Sequence, residues 1–144
     1  MLLTDVVEAS NAVAATRSRK AKVEALARAL RNAGPSEVET TSAYLSGVLR
    51  QRRTGLGWRG LSDLPAPAGT STLSVAEVND AFERISAVTG PGSRDARTAL
   101  VADLFGRATE DEQHFLRRLV TGDLRQGALD GLMLEAIATA ADVP

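Results

Sequence analysis

Phe115-Leu-Arg-Arg-Leu-Val-Thr-Gly-Asp-Leu-Arg-Gln-Gly-Ala-Leu129 is the stretch on which the reading of this chain turns. Phe115, Leu116, Leu119 and Val120 fall at helical spacing and make one apolar stripe. The stripe breaks at Thr121-Gly122, Arg125 stands between Gly122 and Gly127, and a second apolar helix is expected from about Ala128. Helix, glycine-flanked basic turn, helix is an arrangement able to hold a phosphate. Glycine lets backbone N–H groups come close, the next helix begins with free N–H donors, and Arg125 supplies charge.

Outward from this stretch the pattern stays helical. Leu2 to Ala15 reads as a first helix and Arg19 to Asn32 as a second, capped by Ser18. Gly34-Pro35 separates it from a third, which is expected to open on the box Ser36-x-x-Glu39. That helix should run to about Arg50 and bury Val38, Thr41, Leu45, Val48 and Leu49. Gln51 to Leu64 is irregular, and Trp58 between Leu56 and Leu61 reads as a core plug, with stacking on a nucleotide as the alternative. Residues 65–72 are a Pro/Ala/Gly/Ser/Thr connector. Boxes at Ser74-x-x-Glu77 and Thr109-x-x-Glu112 open a fourth and a sixth helix, and Ser93 to Ala108 gives the fifth. A seventh, about Ala128 to Ala141, should bury Leu132, Met133, and Leu134 or Ile137. No segment alternates with strand period, so the expected fold is all-α, about seven helices in one compact domain.

Composition narrows the function classes. The 144 residues contain no cysteine and one histidine, His114, which removes disulfides, thiolate sites and histidine clusters. No apolar run approaches a membrane span and no signal peptide is visible, so a cytoplasmic protein without membrane contact is expected. The net charge of −1 hides an asymmetry. Residues 1–66 carry 10 basic and 6 acidic side chains, residues 67–144 carry 7 and 12. Basic residues gather at expected turns: Arg17, Arg19, Lys20 and Lys22, then Arg50, Arg52 and Arg53. Such local patches govern phosphate binding more than the total does, although solvated helix ends look the same.

The two halves, about 1–65 and 73–144, resemble each other. Ser18-Arg19, Lys22, Leu26 and Leu30 match Ser93-Arg94, Arg97, Val101 and Phe105 at an offset of 75. With a four-residue gap, Tyr44-Leu45 and Val48-Leu49 match Phe115-Leu116 and Leu119-Val120. Each copy then runs into a glycine-bearing basic turn, Arg52-Arg53-Thr54-Gly55-Leu56-Gly57 and Thr121 to Gly127. Two units unable to bury their own faces should share a core, and a pseudo-twofold pair would put both turns on one surface.

The opening stretch, with Ile137-Ala138 and Ala140-Ala141 after it, closely resembles the signature of the N-terminal DNA-binding domain of ATP-dependent DNA ligases. The likeness rests on the Gly-x-Leu-Arg-x-Gly core between two suitably patterned helices. The resemblance implies a domain that grips duplex DNA around a nick through sugar-phosphate contacts facing the minor groove, and it carries over to Gly122, Arg125, Gly127 and Ala128. Charge and repeat symmetry add Arg17, Arg19, Lys20, Lys22, Arg52, Arg53, Gly55, Gly57, Ser93, Arg94 and Arg97. The resemblance further implies a partner in nicked double-stranded DNA, catalytic domains downstream in the same chain, and a monomer. ATP and a divalent metal such as Mg would serve the full-length ligase, in repair, replication and recombination, with no cofactor in this chain.

The adenylation motif of that family, Lys-x-Asp-Gly, is missing. The only Asp-Gly is Asp130-Gly131, with Ala128 where the lysine would stand, and no lysine follows Lys22. Nor is there a phosphate loop ending in Gly-Lys-Ser/Thr, or a Ser/His/Asp set. The chain is therefore not expected to catalyse alone. Asp123 inside the turn and the acidic second half work against tight binding. A helical protein-interaction module is the competing class.

Overall fold

The computed structural model describes residues 1–51, 54–56, 58–124 and 129–141, without the side chains of residues 58, 59, 129 and 130. Among these residues lie seven α-helices, one 3-10 helix and no strand: α1 Leu3–Ala15, α2 Arg19–Asn32, α3 Val38–Leu45, the 3-10 helix Trp58–Leu61, α4 Val75–Ala87, α5 Ser93–Gly106, α6 Glu110–Thr121 and α7 Leu129–Ala140. The fold is all-α. The environment of the Trp58 ring, expected to be core, lies outside the described residues.

Three of the expected helix starts are built from the side chains that mark them in the sequence. Ser18 Oγ accepts from the Ala21 backbone N–H at 3.1 Å. At α4, Ser74 Oγ accepts from Glu77 N at 3.0 Å while Ser74 N donates to Glu77 Oε1 at 3.1 Å. Thr109 and Glu112 do the same at α6, at 3.3 and 2.8 Å. Each box satisfies N–H groups that a helix start leaves open.

The third helix differs from expectation at both ends. The Gly34 carbonyl accepts from Glu37 N and Val38 N, so the chain turns once before it becomes helical. That leaves Ser36 outside the helix, with Glu37 as N-cap and no side-chain cap. The Glu37 carboxylate instead takes the Met1 ammonium at 2.9 Å and the Ala76 N–H at 3.2 Å. At the other end α3 stops at Leu45, five residues early, because Gly47 takes φ +79°. Val48 N then reaches the Ala43 carbonyl and Gly47 N the Tyr44 carbonyl, the glycine-closed ending that satisfies the last carbonyls of a helix. Val38 comes out exposed and Val48 and Leu49 half-buried, since the helix face that would have buried them ends before them.

One aliphatic core joins the helices. Leu3, Val6, Leu26, Val78, Phe82, Ile85, Phe105 and Leu116 are all nearly or fully shielded, each worth roughly 1.5–3 kcal/mol of burial. Met133 is core, as expected, and His114 is exposed. The connector is laid against the α5–α6 junction, with Ala68 N on the Ala108 carbonyl and Gln113 Nε2 on the Pro65 carbonyl. On α7, Leu132, Met133 and Ala136 are buried, whereas Leu134 and Ile137, candidates for the core, are 72% and 42% exposed. Both turn away from the stripe of Leu132, Met133 and Ala136, which is the face α7 gives to the core.

Helix order repeats, but packing does not. α1, α2 and α3 contact one another, while α6 packs on α1, α7 packs on α2, and α3 touches α4. The largest helix–helix contact is that of α2 with α7. Ser18 caps α2 with its side chain, but its sequence partner Ser93 already lies within α5, whose N-cap is Gly92. A pseudo-twofold relation between the halves is not established by this packing.

Candidate nucleic-acid interface

α6 ends as its sequence requires. Gly122 takes φ +82°, its N–H reaches the Arg118 carbonyl, and Asp123 N reaches the same carbonyl at 2.9 Å. Among the described residues nothing lies within 4 Å of where a Cβ on Gly122 would be, so the bend is open on that side. The next residue but one, Leu124, is buried beside Ala14, Tyr44 and Leu45. This leucine pins the α6–α7 turn to the ends of α1 and α3.

Gly122 faces a cavity of about 680 Å³. Leu119 and Thr121 line it from the same side, and Gly47, Arg50, Gln51 and Thr54 line it from the other. Two bends far apart in sequence thus meet across one open groove. Arg50 projects into it, donating to Thr40 Oγ1 at 2.9 Å and lying 3.4 Å from a Glu39 carboxylate oxygen. Gln51 is buried and donates to Asn79 Oδ1 at 3.0 Å and Glu83 Oε1 at 2.6 Å, which ties the first bend to α4. Tyr44 of α3 is buried in the core. Burial pushes its phenol above the ordinary range, Arg50 pulls it down and Glu83 adds to the rise. The phenol oxygen has no hydrogen-bond partner among the described residues.

A second cavity, of about 460 Å³, opens on the other side of the first bend. Gly55, Asp63, Arg94, Arg97 and Thr98 line it. Gly55 takes φ +72° and packs against Arg97 so closely that a Cβ there would sit 2.7 Å from Cζ and Nε and 2.9 Å from Nη2. Those three nearly equal distances put the position over the flat face of the guanidinium. Arg97 Nη2 donates to the Val88 carbonyl at 3.2 Å, and its buried Nε has no partner among the described residues. Arg97 therefore braces the first bend against the α4–α5 elbow.

The family model described as DNA ligase N terminus matches residues 61–138, from the 3-10 helix through α7 and including the Gly122 bend. The chain belongs to the DNA ligase N-terminus family. Proteins described as probable DNA ligases are similar over the whole of this chain: 61% identity in Nocardioides sp., 60% in Kineococcus radiotolerans and 57% in Beutenbergia cavernae. The chain spans 28–29% of the length of these relatives.

Within this ligase domain the candidate residues fall into three groups. Gly55, Arg94 and Arg97 come together at the second cavity, with Ser93 half-buried in the first turn of α5, and Gly122 lies at the first cavity. Arg17, Arg19, Lys20 and Lys22 line neither cavity. They sit at the α1–α2 turn, with Arg19 paired to Glu135 of α7 at 2.9 Å. Arg52, Arg53, Gly57, Arg125, Gly127 and Ala128 lie outside the described residues. Gly47, Arg50 and Gln51 were not among the candidates. The cue for them was present, since Gly47 closes α3 as Gly122 closes α6. Among the described residues no group of three or more His, Cys, Asp or Glu could hold a metal ion, and no helix is long and apolar enough to cross a membrane.

Proposed function

We propose that this chain binds duplex DNA around a nick, without sequence preference, as the N-terminal domain of an ATP-dependent ligase that seals nicks in repair, replication and recombination. The observation that carries the reading is the shared cavity, where the open Gly122 bend faces the Arg50-bearing bend. Glycine bends offer backbone N–H groups, arginine offers a charged fork, and both suit phosphate oxygens. Phosphate contacts position a protein without reading bases, so unrelated sequences should bind alike. ATP and the divalent metal would belong to the rest of the ligase, which is also the expected partner in the same polypeptide. The domain would act as a monomer in the cytoplasm.

Labelled nicked and intact duplexes titrated with the chain at two salt concentrations test this. Arg125→Ala should weaken binding equally for unrelated sequences and reduce the salt slope by about 0.9, the contribution of one phosphate. Unchanged binding by that variant at low salt would remove the site. Exposed Leu134 and Ile137 on α7 favour a second reading, a helical protein-interaction module. Salt-independent or absent duplex binding would select it.

A further inference from the structure

Residues 47–51 read Gly-Val-Leu-Arg-Gln, and residues 122–126 read Gly-Asp-Leu-Arg-Gln. The two runs differ at one position and lie 75 residues apart, the offset that also relates α2 to α5. No gap is needed. The four-residue shift that pairs Tyr44 with Phe115 leaves Gly47 and Gly122 out of register.

Local structure supports the ungapped pairing as far as both runs are described. Gly47 and Gly122 follow helices α3 and α6, at φ +79° and +82°. In both, the next N–H reaches back five residues, Val48 to Ala43 and Asp123 to Arg118, each at 2.9 Å. In both, the following leucine turns to the core, with Leu124 buried and Leu49 packed against it. Both glycines line the same cavity. The repeated arginine is Arg50 in the first run and Arg125 in the second.

We infer that Gly47–Gln51 is a second phosphate-binding bend and that Arg50 is its charged residue, gripping a backbone phosphate across the groove from Gly122. This deepens the duplex-binding reading and rests on it. Arg50 already projects into the cavity, held by Thr40 and by an ion pair to a Glu39 side chain that is 82% exposed. A pair so exposed is weak in water, and a phosphate oxygen accepts the same fork more strongly. Glu39 lines the cavity too, and serves as a stand-in anion that the phosphodiester displaces. Gln51, buried against Asn79 and Glu83, fixes the bend so that Arg50 points at the groove before any ligand arrives.

The test compares salt slopes for labelled nicked duplex. Arg50→Gln should weaken binding to unrelated sequences alike and lower the slope by about 0.9, and the double variant with Arg125→Ala should lower it by about 1.8. Arg50→Lys keeps the charge and should keep the slope. Glu39→Gln removes the competing anion at an exposed position and should tighten binding, a readout that does not depend on how Arg50 variants fold. If Arg125→Ala flattens the slope while Arg50→Gln and Glu39→Gln both behave as the parent, the Gly47–Gln51 site is overturned and the duplex reading stands. If the parent chain shows no salt-dependent duplex binding, both fall.

Discussion

The two glycine bends close their helices alike and are then held by different forces. After Gly47 the chain is fixed by polar side chains, Arg50 to Thr40 and Glu39, and Gln51 to Asn79 and Glu83. After Gly122 the described part is fixed by the helix-ending backbone bonds, by Arg118 Nη2 donating to the Asp123 carbonyl at 3.5 Å, and by one apolar plug, Leu124. A glycine ending therefore sets only the direction in which the chain leaves its helix. The side chains beyond the glycine decide whether the bend is oriented mainly by a polar network or mainly by a hydrophobic anchor.

Leu124→Ala should strike the second bend hardest. Deleting a buried leucine costs about 2 kcal/mol or more, and the loss should be read in thermal denaturation together with duplex affinity. If affinity holds while stability falls, the leucine serves the core and not the bend. Gln51→Leu removes the bonds to Asn79 and Glu83 at the first bend, where water can reach the half-buried and exposed acceptors, and should cost about 1 kcal/mol. A variant as stable as the parent would show that the network orients nothing.

Gly47→Ala and Gly122→Ala test the part the bends share. A left-handed alanine costs roughly 1–2 kcal/mol at each. The loss should be larger at Gly47, which is buried, than at Gly122, where a methyl group meets no described atom within 4 Å. Equal losses would mean that backbone conformation alone matters at both.

The smallest effect lies away from both bends and gives a baseline. The backbone N–H of Ser74, and then Arg107, hold the Glu77 carboxyl below its ordinary value of 4.5. A lowered folded-state value means that the charged form stabilises the fold. Its contribution is fully present above 4.5 and is lost as pH falls through the lower folded value. Glu77 is exposed to solvent, so the step should be slight. Glu77→Gln should remove it from the dependence of Tm on pH in acid.

Much of this molecule was legible before any coordinates. Ser18, Ser74–Glu77 and Thr109–Glu112 announce helix starts because a capping side chain acts on N–H groups two or three residues away. The box at Ser36 failed for the complementary reason. The turn after Gly34 and the pull of Met1 and Ala76 on Glu37 moved the helix start past it, and those partners are remote in sequence. Among the candidate site residues, Gly122 was readable as an open bend from its neighbours alone. That Arg97 would brace Gly55, and that Arg19 would pair with Glu135, was not.

By itself the sequence determined which stretches are helical, three of the helix caps, most of the apolar faces and the two Gly-x-Leu-Arg-Gln runs, because helix periodicity, capping and left-handed glycine act within a few residues. The tertiary structure alone decided which bends share a groove, that α6 and α7 pack on the first half, and that Leu134 and Ile137 stay exposed. Those outcomes depend on burial between segments far apart in the chain. A run of residues states how much apolar surface it carries and leaves open which distant surface will cover it.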